Sequence, residues 1–241
     1  MKKVSRFVLC ALVPALIAGM FCSPCHAQYI GGYSELNDSD VTRSLKSHVS
    51  YLASDALEGR GAGTQGEKDA ADYVRDIFKK YDIDLLSGEN GDLFGISQNG
   101  DTLTSRNVLG FVQGCDKKMF DRYIVIGARL DNVGSNMVEV DGKPVEQVYN
   151  GANGNASGLA MMLELARMVN TNALMFRRSV IFIAFGASSQ SFAGAWYFLN
   201  RSFSDAGRID AMIDLDMLGT GSNGFYAYTS SNADMNMLIS Q

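Results

Sequence analysis

The chain has 241 residues, of which 46% are hydrophobic, and it carries 21 basic against 26 acidic side chains. This acidic balance argues against nucleic acid or an anionic membrane as a partner. The length is sufficient for one domain with a substantial core.

Residues 1–28 have the pattern of a bacterial secretory signal peptide. Three basic residues precede an apolar run over residues 7–21, and the short polar stretch that ends in Cys25-His26-Ala27 has small residues at the two positions that a signal peptidase reads. The run is too short to span a bilayer comfortably. We therefore expect residues 29–241 to be exported, either to the periplasm or to the medium, without a membrane contact after cleavage. An uncleaved anchor and a lipid attached to Cys22 are the alternatives.

Cleavage changes the charge and the inventory of reactive side chains. Loss of three basic residues and no acidic ones moves the net charge from −5 to about −8. Cys115 and His48 are then the remaining cysteine and histidine, so neither an internal disulfide nor a Cys/His zinc finger is possible. We expect His48 to lie on a solvated face of the first helix.

Periodicity predicts alternating helices and strands. A helix is expected over residues 39–53, and a capping box from Thr64 to Glu67 starts a second helix that ends near Tyr81. Later helices are expected over 156–169 and 192–199. Strands are expected over 106–113, 122–128, 179–185, 209–217 and 225–229, with a small hairpin within 132–149 around Asp141.

This order predicts a single three-layer α/β domain over residues 29–241, with a mixed, mostly parallel sheet and helices on both faces. From Ser231 the sequence opens like a helix and stops without a cap. Either a C-terminal piece is absent from this sequence or the domain is unusually short.

Two motifs resemble known functional sequences but lack the neighbouring residues or elements that those functions require. Residues 61–66 match G-x-G-x-x-G, but a helix and a loop precede them, whereas a dinucleotide site needs a strand there. Ser188 and Ser189 follow a buried strand as in a nucleophile elbow, yet the second glycine is missing and His48 is far upstream. We interpret the first motif as a loop and the serines as a helix start.

Five sequence blocks follow one another in an order that resembles a known family. They cover residues 55–64, 124–134, 148–158, 181–190 and 213–219. Together they are similar to the co-catalytic di-zinc aminopeptidases, the family of bacterial leucyl aminopeptidase and the transferrin receptor ectodomain. The resemblance runs from about Leu45 to Thr229 and implies the zinc-aminopeptidase fold.

The same resemblance implies that the metal site is degenerate. The family's first zinc-binding histidine corresponds to Arg129, its metal-bridging aspartate to Gly154, and its general base and neighbouring glutamate ligand to Ser188 and Ser189. One aspartate ligand is kept as Asp216. The orienting aspartate is also kept, as Asp131, and the family's last histidine ligand falls beyond the end of this sequence.

These replacements predict that the chain binds no metal or other cofactor and has no catalytic residue. A guanidinium cannot become a metal ligand, and one carboxylate cannot hold two zinc ions. We expect Arg129 to act as the counter-ion in their place and to pair with Asp216. The expected remnant pocket consists of Arg129, Asp131, Asn153, Gly154, Asn155, Ser188, Ser189 and Asp216.

The sequence therefore favours an exported, catalytically inactive relative of the zinc aminopeptidases with a binding or scaffold role. Its expected partner is a peptide or another small extracellular ligand, or a protein. The alternative is an active zinc peptidase with a rearranged oxygen ligand set, drawn from Asp131, Asp216, Glu139 or Asp141. A third possibility is a degraded remnant of such an enzyme.

Overall fold

Contacts divide the chain into two units, Met1–Asp38 and Ser39–Gln241. The structure, a computed structural model, describes residues 39–98, 100–219, 227–228 and 236–237, all within the second unit. The expected signal peptide lies outside the described residues, as do most of the strand expected at 225–229 and of the helix expected from Ser231.

Four α-helices and several single turns are described. The helices are α1 (Asp40–Leu52), α2 (Gln65–Lys80), α3 (Ser157–Thr171) and α4 (Ala193–Tyr197). Turns of 3₁₀-helix are Asp55–Arg60, Ala173–Met175 and Ala206–Arg208, and π-helical turns are Ala152–Ala156 and Phe198–Ser202. The strands are β1 (Asp84–Leu85), β2 (Asp92–Gln98), β3 (Asp101–Val112), β4 (Tyr123–Arg129), β5 (Ser135–Val140), β6 (Lys143–Val148), β7 (Ser179–Phe185) and β8 (Ile209–Asp214).

Side-chain caps fix where the first two helices begin. The Ser39 hydroxyl accepts a hydrogen bond from the Thr42 amide at 3.1 Å and caps α1. The Thr64 hydroxyl accepts from the Glu67 amide at 3.4 Å, as the capping box predicts for α2. Both caps satisfy amides that an α-helix leaves unpaired at its start.

The main sheet has the order β1-β3-β7-β4-β8, with β2 paired to β3. Strands β7, β4 and β8 are parallel, while β3 runs antiparallel to β7, β1 and β2. Strands β5 and β6 form a separate hairpin. The predicted mixed α/β sheet is confirmed, and its parallel part among the described strands is β7-β4-β8.

Strand β7 shows how the sheet forms the middle layer, because each of its residues is buried. Val180, Phe182 and Ala184 pack against α1, α2 and α3 on one face, and Ile181, Ile183 and Phe185 pack towards Phe198 on the other. A strand covered on both faces reads as a continuous apolar run rather than an alternating one. No helix of the described ranges is both long and apolar enough to cross a membrane.

His48 lies in a buried polar cluster between α1, α2 and α3, with only 4% of its surface exposed. The expectation of a solvated position is therefore wrong. Its Nδ1 lies 2.8 Å from the Tyr73 hydroxyl and its Nε2 3.3 Å from the Ser44 hydroxyl. Ser44 also donates to the buried Glu164, which accepts two hydrogen bonds from Arg167 at 2.9 and 3.1 Å.

This cluster predicts an acid-sensitive contribution to stability. Burial lowers the pKa of His48, and the nearby Lys80 adds to that, while Glu164 opposes it. Because the folded state binds the proton less readily than the unfolded chain, the contribution of His48 to the free energy of unfolding is present above a pH of about 6.5 and is lost as the pH falls.

We expect the wild-type chain to lose more free energy of unfolding between pH 7.5 and 5.5 than His48→Gln, as measured by urea denaturation. Ser47→Gln, at an exposed position of the same helix, is the matched control and should keep the wild-type dependence; an equal dependence in all three proteins would contradict the prediction.

Candidate functional site

Most of the residues singled out by sequence lie at the carboxyl ends of the three parallel strands. Arg129 is the last residue of β4, Ser188 and Ser189 follow β7, and Asp216 follows β8. Gly154 lies in the turn that leads into α3. This edge is where ligands bind in open α/β sheets, so the fold brings the candidate residues to one place.

Arg129 and Asp216 form the ion pair predicted from the sequence. The guanidinium of Arg129 donates to the Asp216 Oδ1 from Nη2 at 2.7 Å and from Nε at 3.1 Å. The two side chains are 24% and 44% exposed, so solvent weakens the attraction. Burial raises the pKa of the neighbouring Asp214, and Asp216 raises it further while Arg129 opposes the rise. The basic side chain therefore compensates a pair of adjacent carboxylates.

Asp131 is fully buried and positions the turn after β7. Its Oδ1 accepts from the Ser188 amide at 2.6 Å and its Oδ2 from the Ser189 amide at 2.9 Å. The Ser188 hydroxyl donates to the Phe185 carbonyl at 3.2 Å. Both oxygens of this carboxylate are thus occupied by backbone amides.

Asn153 and Asn155 connect the Gly154 turn to the segment after β8. The Asn155 Oδ1 accepts from the Met217 amide at 2.9 Å, and its Nδ2 donates to the Leu215 carbonyl at 2.8 Å. The Asn153 Oδ1 accepts from the Gly219 amide at 2.7 Å. These bonds fix the backbone on both sides of Asp216, so the two asparagines serve as internal supports of the site.

Arg60 supports the same edge and is fully buried, a role that the sequence analysis did not predict. Its guanidinium donates to four backbone carbonyls, those of Leu52, Leu130, Asn150 and Gly151. Burial lowers its pKa to about 10. The Glu-Gly-Arg-Gly sequence around it was the available signal, but nothing in that pattern shows that the acceptors are backbone groups.

Glu67 is the second buried support that sequence reasoning missed. Beyond its place in the capping box, its Oε1 accepts from the Ala187 amide at 2.9 Å and from the Ser105 hydroxyl at 2.8 Å. Its Oε2 accepts from the Gly63 amide at 2.6 Å. Burial raises the pKa of Glu67 despite these hydrogen bonds. Residues 61–64 of the apparent dinucleotide motif therefore form a loop held by Glu67, whereas Gln65 and Gly66 begin α2.

A cavity of about 260 Å³ lies beside the turn after β7. Its lining includes Gln190 and Ser191, which follow the candidate serines, and three aromatic side chains. Phe94 and Tyr197 stack at a centroid distance of 5.1 Å, and Trp196 is 57% exposed. Such a cavity suits a flat or apolar group of a ligand.

The described residues do not fit a pair of zinc ions. Within the described ranges, no group of three or more His, Cys, Asp or Glu side chains converges on a possible metal position. Asp131 is engaged by two amides and Asp216 by Arg129. Glu139 belongs to β5 and Asp141 to the turn that follows it, and both are exposed.

The chain is similar to a curated bacterial protein, leupeptin-inactivating enzyme 1 of Streptomyces exfoliatus. The two are 27% identical over 188 residues, which cover 77% of this chain and 38% of the relative. The chain thus spans well under half the length of this relative.

Solved structures share the fold at lower identity. Porphyromonas gingivalis glutaminyl cyclase matches with a TM-score of 0.62 and 18% identity, covering 84% of this chain and 69% of that one. A Zn-dependent exopeptidase from Parabacteroides distasonis matches with a TM-score of 0.54 and 18% identity, covering 73% and 61%. The likeness to the Zn-dependent exopeptidase bears out the predicted zinc-aminopeptidase-like fold.

These comparisons correct one prediction. The expectation that the chain takes no cofactor is wrong, because its relatives point to zinc: the Parabacteroides structure is Zn-dependent, and a further structure of the same fold is a zinc aminopeptidase from Bacillus subtilis, with a TM-score of 0.54. The donor set among the described residues and the metal of the relatives are therefore in disagreement.

A match to a family profile assigns the chain to a family from its sequence alone. The profile of peptidase family M28 matches residues 107–240, more than half of the chain. The matched range contains the candidate residues from Arg129 to Asp216, and the resemblance drawn from the five sequence blocks is confirmed. The chain belongs to peptidase family M28.

Proposed function

We propose that this chain is an exported M28 domain that has lost peptide hydrolysis and binds a peptide or small molecule through an aromatic or apolar group. The observation that carries the proposal is the turn after β7, where a peptidase of this kind would need a carboxylate base. Ser188 stands there, with its amide on Asp131 and its hydroxyl on the Phe185 carbonyl. A serine hydroxyl held in this way cannot take a proton from water.

The charge at the site supports the same conclusion. Arg129 places a permanent positive charge beside Asp216, where a metal-dependent peptidase would place an imidazole. Activation of water by a metal needs an open coordination position held by at least three protein donors. When zinc is bound in the family, it supplies Lewis-acid chemistry, whereas the residues described here supply an internal ion pair.

The aromatic cavity supports the choice of ligand. It adjoins the turn after β7, where a peptidase of this kind would need its base, and offers Trp196 as a half-exposed contact surface. Aromatic side chains provide large contact areas with little loss of conformational freedom. A peptide end carrying a phenylalanine or a similar ring therefore fits the cavity better than a charged ligand.

A zinc peptidase with a rearranged ligand set is the second candidate. The zinc dependence of the structural relatives favours it. It would require Asp131 to leave its two amides or Asp216 to leave Arg129, and then donors from beyond the described residues. Oxygen donors alone also suit zinc poorly.

Hydrolysis is tested directly with supplied metal. We expect the purified chain to show no turnover of leucine-4-nitroanilide above background, with or without added zinc, in an assay where a zinc aminopeptidase serves as the positive control. Zinc bound in stoichiometric amount, together with turnover that a chelator abolishes, would establish the second candidate instead.

Ligand binding is tested with the chain's single tryptophan, Trp196. We expect dipeptides containing phenylalanine to change its fluorescence saturably, and the corresponding glycine dipeptides to have at least about tenfold weaker effect, since a ring buries far more apolar area. In Tyr197→Ala, which removes the stacking partner of Phe94, the affinity should fall. Equal responses to both kinds of dipeptide would refute the aromatic cavity as the binding site.

If the fold leaves position 154 free to carry an aspartate, two glycine variants should differ in stability. Among the described residues, a Cβ at Gly154 would meet the Asn132 Oδ1 alone, at 3.9 Å, whereas at Gly151, with φ of +61°, it would clash with the Asn132 Nδ2 and the Gly154 carbonyl oxygen. We expect Gly154→Asp to change the free energy of unfolding by less than about 1 kcal/mol and Gly151→Asp to lower it by more than about 2 kcal/mol. Urea denaturation of the two variants is the measurement, and comparable losses would mean that Gly154 is required for structure.

A further inference from the structure

A cluster of exposed apolar side chains lies at the opposite end of the sheet from the candidate site. The 3₁₀ turn Ala173–Met175 connects α3 to the start of β7, and there Leu174 is 87% exposed and Met175 79% exposed. The adjacent Phe176 and Phe120 are 38% and 40% exposed. Exposed apolar side chains that lie together in this way mark an interaction surface, whereas isolated ones are ordinary.

Two neighbouring segments form this end of the molecule together. The Cys115 amide donates to the Phe176 carbonyl at 2.8 Å, and Arg177 pairs with Asp116 at 2.7 Å. The Ser179 hydroxyl donates to the Phe120 carbonyl at 2.5 Å. We call the resulting surface the basal tip: Lys117, Lys118, Phe120, Leu174, Met175 and Phe176.

The basal tip combines these apolar side chains with positive charge. Segments 114–122 and 173–178 contain five basic and two acidic residues in a chain whose net charge is −5. Asp210 of β8 adds one carboxylate, which pairs with Arg122 and Arg178. Lys117 and Lys118 are exposed, and neither has a carboxylate partner in the part of the chain that the structure describes.

We propose that the basal tip docks the domain onto an anionic lipid surface. Leu174 and Met175 would enter the interface between headgroups and acyl chains, and Lys117 and Lys118 would lie among the anionic headgroups. Apolar side chains flanked by free lysines are the combination that binds peripheral proteins to such surfaces. The projecting shape of the turn suits a fluid interface, which conforms to it, better than a rigid protein partner, which would need a matching groove.

The acidic balance of the whole chain argued against an anionic membrane. At the basal tip the local charge is positive, and this local charge matters more than the net charge of the chain. Charges farther away than the Debye length of about 8 Å are largely screened at physiological salt. The charges that an anionic surface meets first are therefore those of the tip.

Partition to lipid vesicles tests the proposal, with the full chain and matched variants. We expect sedimentation with vesicles containing phosphatidylglycerol, little sedimentation with pure phosphatidylcholine vesicles, and release at high salt. Each lysine near an anionic surface contributes about fivefold in partition, so Lys117→Gln/Lys118→Gln should weaken binding about 25-fold. Lys46→Gln/Lys143→Gln changes two exposed lysines elsewhere and should have a much smaller effect.

A local probe separates the tip from residues 1–28, whose own apolar run could also bind lipid. In the Trp196→Phe background, Met175→Trp should be quenched by brominated lipids, while Met137→Trp on the β5–β6 hairpin should not. Leu174→Ser should reduce the partition of the chain, and Val133→Ser, at an exposed apolar position away from the tip, should not.

Three results would overturn the proposal. The first is equal binding to both kinds of vesicle, and the second is quenching at position 137 but not at position 175. The third is reversible self-association that the tip variants abolish, because that result would assign the surface to a second copy of the chain. All of these substitutions are at exposed side chains, so circular dichroism should show folded proteins.

Discussion

The buried guanidinium of Arg60 is the contact on which the candidate site depends most. It joins the end of α1, the segment after β4 and the turn before α3 through hydrogen bonds to their backbone carbonyls. A buried cation without these acceptors would be strongly destabilising. Because carbonyl acceptors belong to the backbone, the arrangement holds three segments in place irrespective of the side chains that those segments display.

The turn after β7 is held in a related way from two directions. Glu67 accepts from the Ala187 amide, and Asp131 accepts from the amides of Ser188 and Ser189. Three consecutive amides are thereby fixed by two buried carboxylates. The side chains of Ser188 and Ser189 can be exchanged without removing these bonds, so the backbone of this turn keeps its shape whichever side chains it displays.

Local patterns predicted the parts of the fold that depend on neighbours in sequence. The strand expected at 179–185 is β7 with the same bounds, because a fully buried strand leaves a continuous apolar run. The capping box located the start of α2. Strand β2 was missed because its two buried side chains, Phe94 and Ile96, flank Gly95, a residue type disfavoured in strands, and because its stability comes from pairing with β3.

The candidate site shows the same division between residues that local sequence patterns predict and residues whose position depends on other contacts. The pair Arg129–Asp216 was predictable because both residues occupy positions of recognisable motifs. The burial of His48 was not, since it depends on Tyr73 and on Glu164, which is more than a hundred residues away in sequence. Arg60 was missed for a different reason: its partners are backbone groups, and any sequence supplies them.

The seven residues of β7 also set a distance. At about 3.3 Å per residue, the strand separates its two ends by about 23 Å, nearly three Debye lengths at physiological salt. The Arg129–Asp216 pair lies at one end and the basal tip at the other. A surface potential at the tip would therefore be almost fully screened at the ion pair, so a ligand would meet the same electrostatic environment whether the domain is docked or free in solution.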